Sequence, residues 1–298
     1  LENTFFVDPK HMHLLGMLAK FVFNGKRAEE TFILKRICKQ TGPISFQSVQ
    51  DEVLNELGYT PSIHVIKSAL HSFNLKFVMQ LSNGKRRSIA EIFDYDLVRV
   101  EGEKIYAQSL LLNFLRDDSL ATYLLDAAEF SLLKFKADFE LKDYCEGFKR
   151  ESKYSREDVF RILGWEQNPN ALNVGGYVVS RDATNCPIFL NYHKDESISD
   201  TTKYEDRFHD SKTLVYMSKS KRTLQSPDVA VIAAEQKNKI RIPIFVKKSN
   251  DEGLSFYFVG DGIAASTKFE ESRMPVVGAE SVSVVKMIFE LGKPVSSS

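Results

Sequence analysis

A short loop in the second half of the sequence concentrates side chains that bind phosphate. Residues 218–223 read Ser-Lys-Ser-Lys-Arg-Thr, so three cations and three hydroxyls fall within six positions. Phosphate oxygens of nucleic acids take many of their hydrogen bonds from arginine, lysine and hydroxyl side chains. We therefore predict that Lys219, Ser220, Lys221 and Arg222 contact a DNA backbone, against the simpler alternative of a solvated loop.

A second basic run follows a tight turn in the first half. Asn83-Gly84 is the strongest short signal for a two-residue hairpin turn, and Lys85, Arg86 and Arg87 come directly after it. These three cations are predicted to reach DNA phosphates from the tip of a hairpin. The alternative is a solvent-exposed polar surface that binds nothing.

No residue pattern in the sequence predicts catalysis. The Walker loop, His-Glu-x-x-His, Cys-x-x-Cys and Gly-x-Ser-x-Gly are all missing. Glu205 and Asp206 are adjacent, so a strand would direct them to opposite faces, which makes a poor acid–base pair. His11 and His13 are two apart, and a helix would point them in different directions. We expect no catalytic residue, metal site or cofactor in this chain.

Composition and charge narrow the class of protein. The 298 residues suffice for two domains, and 43% hydrophobic with 27% charged residues is typical of a soluble globular protein. Because the formal net charge is zero, nucleic-acid binding must come from local patches and shaped pockets. Three scattered cysteines argue against disulfides and favour the cytoplasm. We find no signal peptide or membrane span, and the opening Leu1 leads us to expect a piece of a longer protein.

Apolar residues recur at helical spacing through the first half. Residues 46–57 form a predicted helix that stops at Gly58, and the next helix is predicted to start with Thr60 as N-cap and Pro61 at its first position. A strand at 75–81 enters the Asn83-Gly84 turn, and a second hairpin pairs 97–100 with 104–107. This order predicts a winged helix, with a plain helical spacer as the alternative. A long amphipathic helix is predicted over 117–139.

Period-two patterns replace the helical ones after Tyr154. Ser155 and Asp158 predict a helix start, Gly164-Trp165 its end, and a further helix is predicted at 227–237. The predicted strands are 174–180, 186–193, 239–248, 254–260 and 283–291. The fold class is therefore α+β: a mainly helical domain over 1–140, and a small closed or nearly closed β-barrel domain over 141–298.

Four stretches of the second half are familiar in combination. They are Tyr-Ser-Arg-Glu-Asp-Val-Phe-Arg-Ile-Leu-Gly-Trp at 154–165, Asn-Val-Gly-Gly-Tyr at 173–177, Cys-Pro-Ile-Phe-Leu-Asn-Tyr-His-Lys at 186–194 with Tyr-Glu-Asp at 204–206, and the loop 218–223. Together they resemble the C-terminal region of bacterial superfamily-two helicases that carry a phospholipase-D-type nuclease. Type IV, modification-dependent restriction enzymes of the SauUSI kind are built this way. The resemblance covers roughly 153–260.

The resemblance implies a reader of modified cytosine. Its C-terminal domain would be similar to the SET-and-RING-associated (SRA) fold, a curved barrel that flips 5-methylcytosine into a pocket. A flipped base needs aromatic faces, polar partners and a basic rim. The candidate rings are Trp165, Tyr177, Tyr192 and Tyr204, although a strand tyrosine is more often a core residue. Glu205 or Asp206 would accept from the cytosine amino group. His193 and Lys194 would join residues 219–222 on the DNA backbone.

The expected function is target recognition for an ATP-dependent restriction endonuclease that acts in antiviral defence. Its partners would be modified double-stranded DNA and the helicase and nuclease domains of the same protein. ATP and magnesium would be used only in those domains, so this fragment is expected not to be an enzyme. One alternative is a docking module that couples motor and nuclease without sensing modification. Another is a general DNA anchor acting through the winged helix, which the zero net charge disfavours.

Overall fold

The computed structural model describes residues 8–40, 42–139, 143–170, 174–191, 206–248, 252–276 and 279–295. The chain divides into two compact units: Leu1–Gly147 with Phe160–Asn168, and Phe148–Val159 with Pro169–Ser298. Helices and sheets occur along the chain, so the predicted α+β class is confirmed. Within the described ranges, no helix is long and apolar enough to cross a membrane.

The described helices are α1 Pro9–Phe21, α2 Glu29–Lys39, α3 Phe46–Leu57, α4 Ile63–Phe73, α5 Ile89–Phe93, α6 Ser109–Leu115, α7 Asp118–Asp138, α8 Arg156–Ile162, α9 Pro227–Ala233 and α10 Glu235–Asn238. The described strands are β1 Ile44–Ser45, β2 Met79–Ser82, β3 Lys85–Ser88, β4 Val98–Glu101, β5 Lys104–Ala107, β6 Tyr144–Cys145, β7 Phe148–Lys149, β8 Lys153–Ser155, β9 Ile188–Asn191, β10 Arg207–Phe208, β11 Thr213–Met217, β12 Pro243–Lys247, β13 Ser255–Ala264, β14 Glu270–Val276 and β15 Ala279–Leu291.

Helix boundaries in the first unit follow local capping. The predicted helix α3 ends at Gly58, whose φ of 78° suits glycine. The predicted start of α4 is wrong: its N-cap is Ser62, whose hydroxyl accepts from the Val65 amide, while Thr60 and Pro61 precede the helix. A proline disfavours helical geometry in the residue before it, so the chain stays extended at Thr60. The predicted long helix is confirmed as α7.

The two hairpins of the first unit belong to different sheets. β4 and β5 form a three-stranded sheet with β1, in the order β1-β5-β4, whereas β2 and β3 form a separate pair. Asn83 and Gly84 connect β2 to β3 with φ values of 50° and 72°, as the predicted primed turn requires. The predicted strand over 75–81 begins only at Met79, because Leu75 adopts a φ of 56° directly after α4.

The second unit contains an eight-stranded sheet with an open path. Its order is β10-β11-β15-β13-β12-β9, with β14 paired to β15 and β8 paired to β13. Among the described strands, the two ends of this path do not pair, so the closed form of the predicted closed or nearly closed barrel is wrong. The long strand β13 pairs with β8 over residues 255–257, with β12 over 257–261 and with β15 over 262–264. Because β13 changes partners along its length, the sheet branches instead of closing.

Several predicted elements of the second unit also differ in extent. Residues 174–180 do not form a strand, and Tyr177 makes only an isolated bridge with Ile188. The predicted strand at 239–248 starts at Pro243, after a left-handed Lys239. The predicted helix at 227–237 breaks at Ala234 into α9 and α10. Ser155 and Asp158 cap α8 as predicted, since the Asp158 amide donates to the Ser155 hydroxyl at 3.0 Å.

Strand alternation gives β9 and β12 two buried faces. Ile188, Leu190, Ile244 and Val246 belong to one hydrophobic cluster, which also contains Tyr177. On the opposite side of these strands, the rings of Phe189 and Phe245 stack with centroids 5.4 Å apart. The sheet is therefore covered on both sides at these strands, and each side carries its own set of polar groups.

Candidate nucleic-acid interface

The backbone of loop 218–223 is fixed against β15. Ser218 donates its amide to the Val285 carbonyl and accepts the Val285 amide on its hydroxyl, both at 2.8 Å. The Arg222 amide donates to the Ser283 carbonyl at 3.2 Å. Between these anchors, Ser220 and Lys221 are exposed, and Lys221 adopts a φ of 62°. The loop thus presents a hydroxyl and an ammonium on a rigid base, which suits a phosphate contact.

Lys219 turns from this loop toward an aromatic ring. Its Nζ lies 5.0 Å from the centroid of the Tyr177 ring. Partial burial lowers the pKa of Lys219, the Asp228 carboxylate opposes that shift, and the Arg222 charge adds to it. Gly175 leaves room for the lysine stem, since a Cβ there would lie 3.3 Å from the Lys219 Cε. Lys219 therefore has both an aromatic and a carboxylate neighbour.

A short chain of hydrogen bonds joins Tyr177, Asp228 and Arg222. The Tyr177 hydroxyl and the Arg222 Nε both donate to Asp228 Oδ2 at 2.8 Å. Burial alone would raise the pKa of Asp228, but these two hydrogen bonds, the Arg222 charge and a backbone hydrogen bond from Val229 outweigh it, so the pKa lies below its ordinary value. Burial and the neighbouring Asp228 raise the pKa of Tyr177. The carboxylate is therefore ionised, and it holds both partners in place.

The Tyr177 ring is 1% exposed and belongs to the hydrophobic core. A ring with no open face has to move before a base can stack on it, so its predicted stacking role stays a prediction. Its neighbour Tyr216 lies 6.1 Å away between centroids in an edge-on arrangement. Gly176 makes this packing possible, because a Cβ on Gly176 would overlap the Tyr216 hydroxyl.

Asp206 lies at the same end of the sheet. Its Oδ1 accepts from the Met217 amide at 2.8 Å, and the side chain is half-buried. After burial, the charge of Asp206 is the next cause that raises the pKa of Tyr216. The structure therefore places Asp206 near Tyr216. The other predicted residues of this stretch, namely Tyr192, His193, Lys194, Tyr204 and Glu205, lie outside the described residues.

The remaining predicted residues belong to the first unit. Trp165 is half-buried and its ring lies 4.6 Å from that of Phe160. Lys85, Arg86 and Arg87 are exposed on β3. Arg86 donates to the Asn168 carbonyl at 2.7 Å, and Arg87 donates to the Glu91 carbonyl at 3.1 Å. The β2–β3 hairpin is thus held at its base and presents a basic surface.

Sequence reasoning missed several polar residues of the second unit. Asp228 follows Pro227 in the first turn of α9, where acidic residues are common because they interact favourably with the helix dipole. The sequence therefore offers no reason to expect its hydrogen bond with Tyr177. Arg156 and Lys247 lie on the side of the sheet opposite Ile244, and the alternation over 239–248 could have drawn attention to Lys247. No group of three or more metal-binding side chains occurs among the described residues.

Two family models match the chain. Residues 148–298 match "Domain of unknown function (DUF3427)", and residues 3–138 match "Domain of unknown function (DUF8090)". No curated protein matches the sequence.

The chain is also similar to several solved structures at low identity. One is the DNA modification-dependent restriction endonuclease AspBHI, at 15% identity over 47% of this chain and 69% of that chain, with a TM-score of 0.33. Another is the sulfur binding domain and SRA domain of ScoMcrA complexed with phosphorothioated DNA, at 10% identity over 94% of this chain and 84% of that chain, with a TM-score of 0.33. A third is the MspJI restriction endonuclease in complex with a 27-mer oligonucleotide, at 14% identity over 40% of this chain and 32% of that chain, with a TM-score of 0.30. TM-scores of this size do not establish a common fold.

Proposed function

The chain belongs to the family described as Domain of unknown function (DUF3427), and from this premise we propose that its second unit recognises 5-methylcytosine in double-stranded DNA. The observation that carries the proposal is the rigid loop 218–223, which presents Ser220 and Lys221 beside the Arg222–Asp228–Tyr177 chain. The resemblance of residues 153–260 to modification-dependent restriction enzymes supplies the identity of the base.

The proposed mechanism is base flipping. Unstacking a base costs a few kcal/mol, and stacking on aromatic rings can return about 1–3 kcal/mol per base. We propose Trp165, Tyr177, Tyr192 and Tyr204 as the stacking rings, and Glu205 or Asp206 as the acceptor for the cytosine amino group. His193 and Lys194 with residues 219–222 would hold the distorted backbone. Because the loop is pinned to β15, little conformational entropy is lost when it meets a phosphate.

We further propose that the first unit is a winged helix that adds non-specific contacts. The order α2-β1-α3-α4-β4-β5 supports this proposal, with the β2–β3 hairpin and helix α5 inserted between α4 and β4. The tip of β4–β5 carries Glu101 and Glu103, which repel phosphate, so Lys85, Arg86 and Arg87 on β3 are the contacts proposed instead. The domains would be 1–140 and 141–298, joined in the full protein to the helicase and nuclease.

A docking module is the second candidate function. Helix α7 exposes three large apolar side chains, Tyr123 at 62%, Phe130 at 68% and Leu133 at 67%. Exposed apolar clusters on a protein surface often mark a protein contact. This observation favours docking of the first unit onto another part of the parent protein, and it does not bear on DNA recognition by the second unit.

Binding to matched duplexes tests the proposed function. The chain is titrated with two duplexes that differ by one 5-methylcytosine, each at two salt concentrations. We expect a preference for the methylated duplex that persists at the higher salt, since salt weakens phosphate contacts and not the pocket. Equal and steeply salt-dependent affinities would indicate a general anchor, and no binding would indicate docking.

Replacing Lys221 with alanine should weaken binding to both duplexes by about two- to fivefold, because one exposed phosphate contact is lost. The slope of log affinity against log salt should become shallower by about 1, while the preference for methylated DNA stays the same. Fluorescence anisotropy of labelled duplexes measures both quantities. Lys239→Ala is the matched control, since Lys239 is also exposed and left-handed, with φ of 54°. Equal losses in the two variants contradict a role for the loop.

A further inference from the structure

Lys247 is a buried cation at the end of β12. The residue is 7% exposed, and strand alternation points its side chain away from the core cluster that holds Val246. Its Nζ lies 5.7 Å from the centroid of the Phe256 ring. Lysine is almost never this buried without a charged partner. In the described part of the chain, Lys247 has neither an ion pair nor a side-chain hydrogen bond.

A second cation lies over the same ring. Arg156 begins α8, and its guanidinium carbon is 5.1 Å from the Phe189 centroid and 5.2 Å from the Phe256 centroid. The two rings pack edge-on at 5.3 Å. The Nε of Arg156 is buried and meets no hydrogen-bond acceptor within the described ranges. Burial lowers the pKa of Arg156, because removing the charged guanidinium from water is unfavourable.

Strand register explains why both cations lie beside the Phe256 ring. Val246 pairs with Tyr257 across β12 and β13, so Lys247 stands opposite Phe256. On its other side, Lys247 is in register with Asn191 at the end of β9, two residues after Phe189. A guanidinium that covers both Phe189 and Phe256 therefore lies above the strand that carries Lys247. Two like charges thus share one aromatic floor, and no described carboxylate pairs with either.

We propose that Arg156 and Lys247 bind the phosphate group of a ligand on the floor formed by Phe189 and Phe256. Buried charges in proteins are stable when they are paired, and a phosphate supplies the missing negative charge to both cations at once. The planar guanidinium can donate two parallel hydrogen bonds to phosphate oxygens, and the ammonium acts as a point charge. Cation–π attraction to the rings offsets only part of the free energy lost when the two cations are removed from water. A bound anion would offset the remainder and stabilise the folded protein.

Phe189 and Lys247 face away from the cluster that contains Tyr177, and loop 218–223 lies on β15. Arg156 is close enough to Tyr216, a member of that cluster, for its charge to lower the pKa of Tyr216. The phosphate site therefore adjoins the proposed base-recognition residues but shares none of them, so the inference goes beyond the proposed function and does not depend on it. The phosphate could belong to a nucleic-acid backbone or to a small phosphorylated molecule, and the two sources are distinguishable.

Thermal unfolding of the full chain in inorganic phosphate tests the site. Against sodium chloride of equal ionic strength, saturating phosphate should raise the Tm of the wild type by about 5 °C. In Lys247→Met the rise should fall below about 1 °C, and its Tm in chloride should equal or exceed that of the wild type, because one unpaired buried charge is gone. Lys248→Met, the exposed neighbour, is the matched control and should respond like the wild type.

The outcomes separate clearly. An equal rise in the wild type and Lys247→Met would overturn the proposal, as would the absence of any rise in the wild type. Arg156→Gln is the second variant, and it should also lose the phosphate response while remaining folded. The source follows from binding to an unmethylated duplex: if Lys247→Met makes the salt slope shallower by about 1, the phosphate is that of a DNA backbone. An unchanged slope with a lost phosphate response assigns the site to a small phosphorylated ligand.

Discussion

Replacing Glu30 with glutamine is expected to lower the free energy of unfolding of the first unit by about 3–5 kcal/mol. Glu30 is fully buried and its Oε1 accepts from Arg27 Nε at 2.9 Å, from Arg27 Nη2 at 2.5 Å and from Arg161 Nη1 at 3.0 Å. A neutral amide would remove the carboxylate charge that both buried guanidiniums share. The loss of one partner from a buried ion pair is among the most destabilising of single substitutions.

The surroundings leave the guanidiniums little freedom to rearrange. Arg27 also donates to the hydroxyls of Ser68 and Ser72, each at 2.9 Å, and Arg161 donates to Asn24 Oδ1 at 2.9 Å. These neutral partners fix the positions of the charges without neutralising them. The expected cost therefore comes from charge and not from a change of shape.

Glu29→Gln is the matched control, because Glu29 is the neighbouring buried carboxyl and its pKa is shifted in the opposite direction from that of Glu30. Glu29 is 2% exposed, and the Tyr59 hydroxyl donates to its Oε1 at 2.9 Å. Burial raises the pKa of Glu29, and the opposing charge of Arg27 does not cancel the rise. A neutral amide can still accept from Tyr59, so we expect a change within about 1 kcal/mol at neutral pH.

The two carboxyls should also differ in how stability depends on pH. Burial alone would raise the pKa of Glu30, but Arg27 and Arg161 outweigh it, so the folded pKa lies below the unfolded value of about 4.3. Its stabilisation is therefore present above about pH 4.3 and is lost as pH falls through the folded pKa. The raised pKa of Glu29 acts in the other direction, because stability then falls as pH rises from the unfolded to the folded pKa.

Urea unfolding at a series of pH values measures both effects. The single tryptophan, Trp165, packs on Phe160 in the same unit as Glu30, so its fluorescence reports the unfolding of that unit. Glu29→Gln should flatten the decline in stability above about pH 4.3, whereas Glu30→Gln should remove the loss on the acid side. Equal costs for the two variants at neutral pH would contradict the assignment of the counter-charge to Glu30.

Features set by neighbouring residues could be predicted from the sequence. The stop of α3 at Gly58, the turn at Asn83-Gly84 and the capping of α8 by Ser155 each depend on two to four consecutive residues, and each is confirmed. Cationic loops were also predictable as exposed positions, since Ser220 and Lys221 follow strand β11 directly. The α+β class followed from the change of period at Tyr154.

Features that depend on distant partners could not be predicted. Arg161 meets Glu30 across 131 positions of sequence, and nothing near either residue indicates the other. Barrel closure depends on which strands pair, and β13 changes its partner along its length, a property that alternation alone does not encode. The proposed phosphate site requires β9, β12 and β13 in register, so alternation alone could place Lys247 on one face of β12 but could not place Phe189 and Phe256 beside it.

Replacing Gly176 with alanine is expected to destabilise the second unit by about 3 kcal/mol or more, since overpacking of a rigid core commonly costs 1–3 kcal/mol. The new Cβ would overlap the Tyr216 hydroxyl, and the Gly176 carbonyl cannot withdraw because it accepts from the Phe189 amide at 2.7 Å. Amide hydrogen exchange along β11 and β15 reports the loss, because Tyr216 lies on β11 and pairs with Met287.

The physical cause of this loss is a single oxygen atom, so a second substitution should restore much of the stability. Tyr216→Phe removes the overlapping hydroxyl and leaves Cζ at 3.2 Å from the alanine Cβ, a tight contact that small shifts relieve. The double variant should therefore be clearly more stable than Gly176→Ala alone, with a coupling energy of about 1–3 kcal/mol. Gly292→Ala is the control, because a Cβ there meets no atom within 4 Å and should change stability by less than about 0.5 kcal/mol. Strictly additive effects of the two substitutions would show that Gly176 is required for another reason, such as the backbone path into Tyr177.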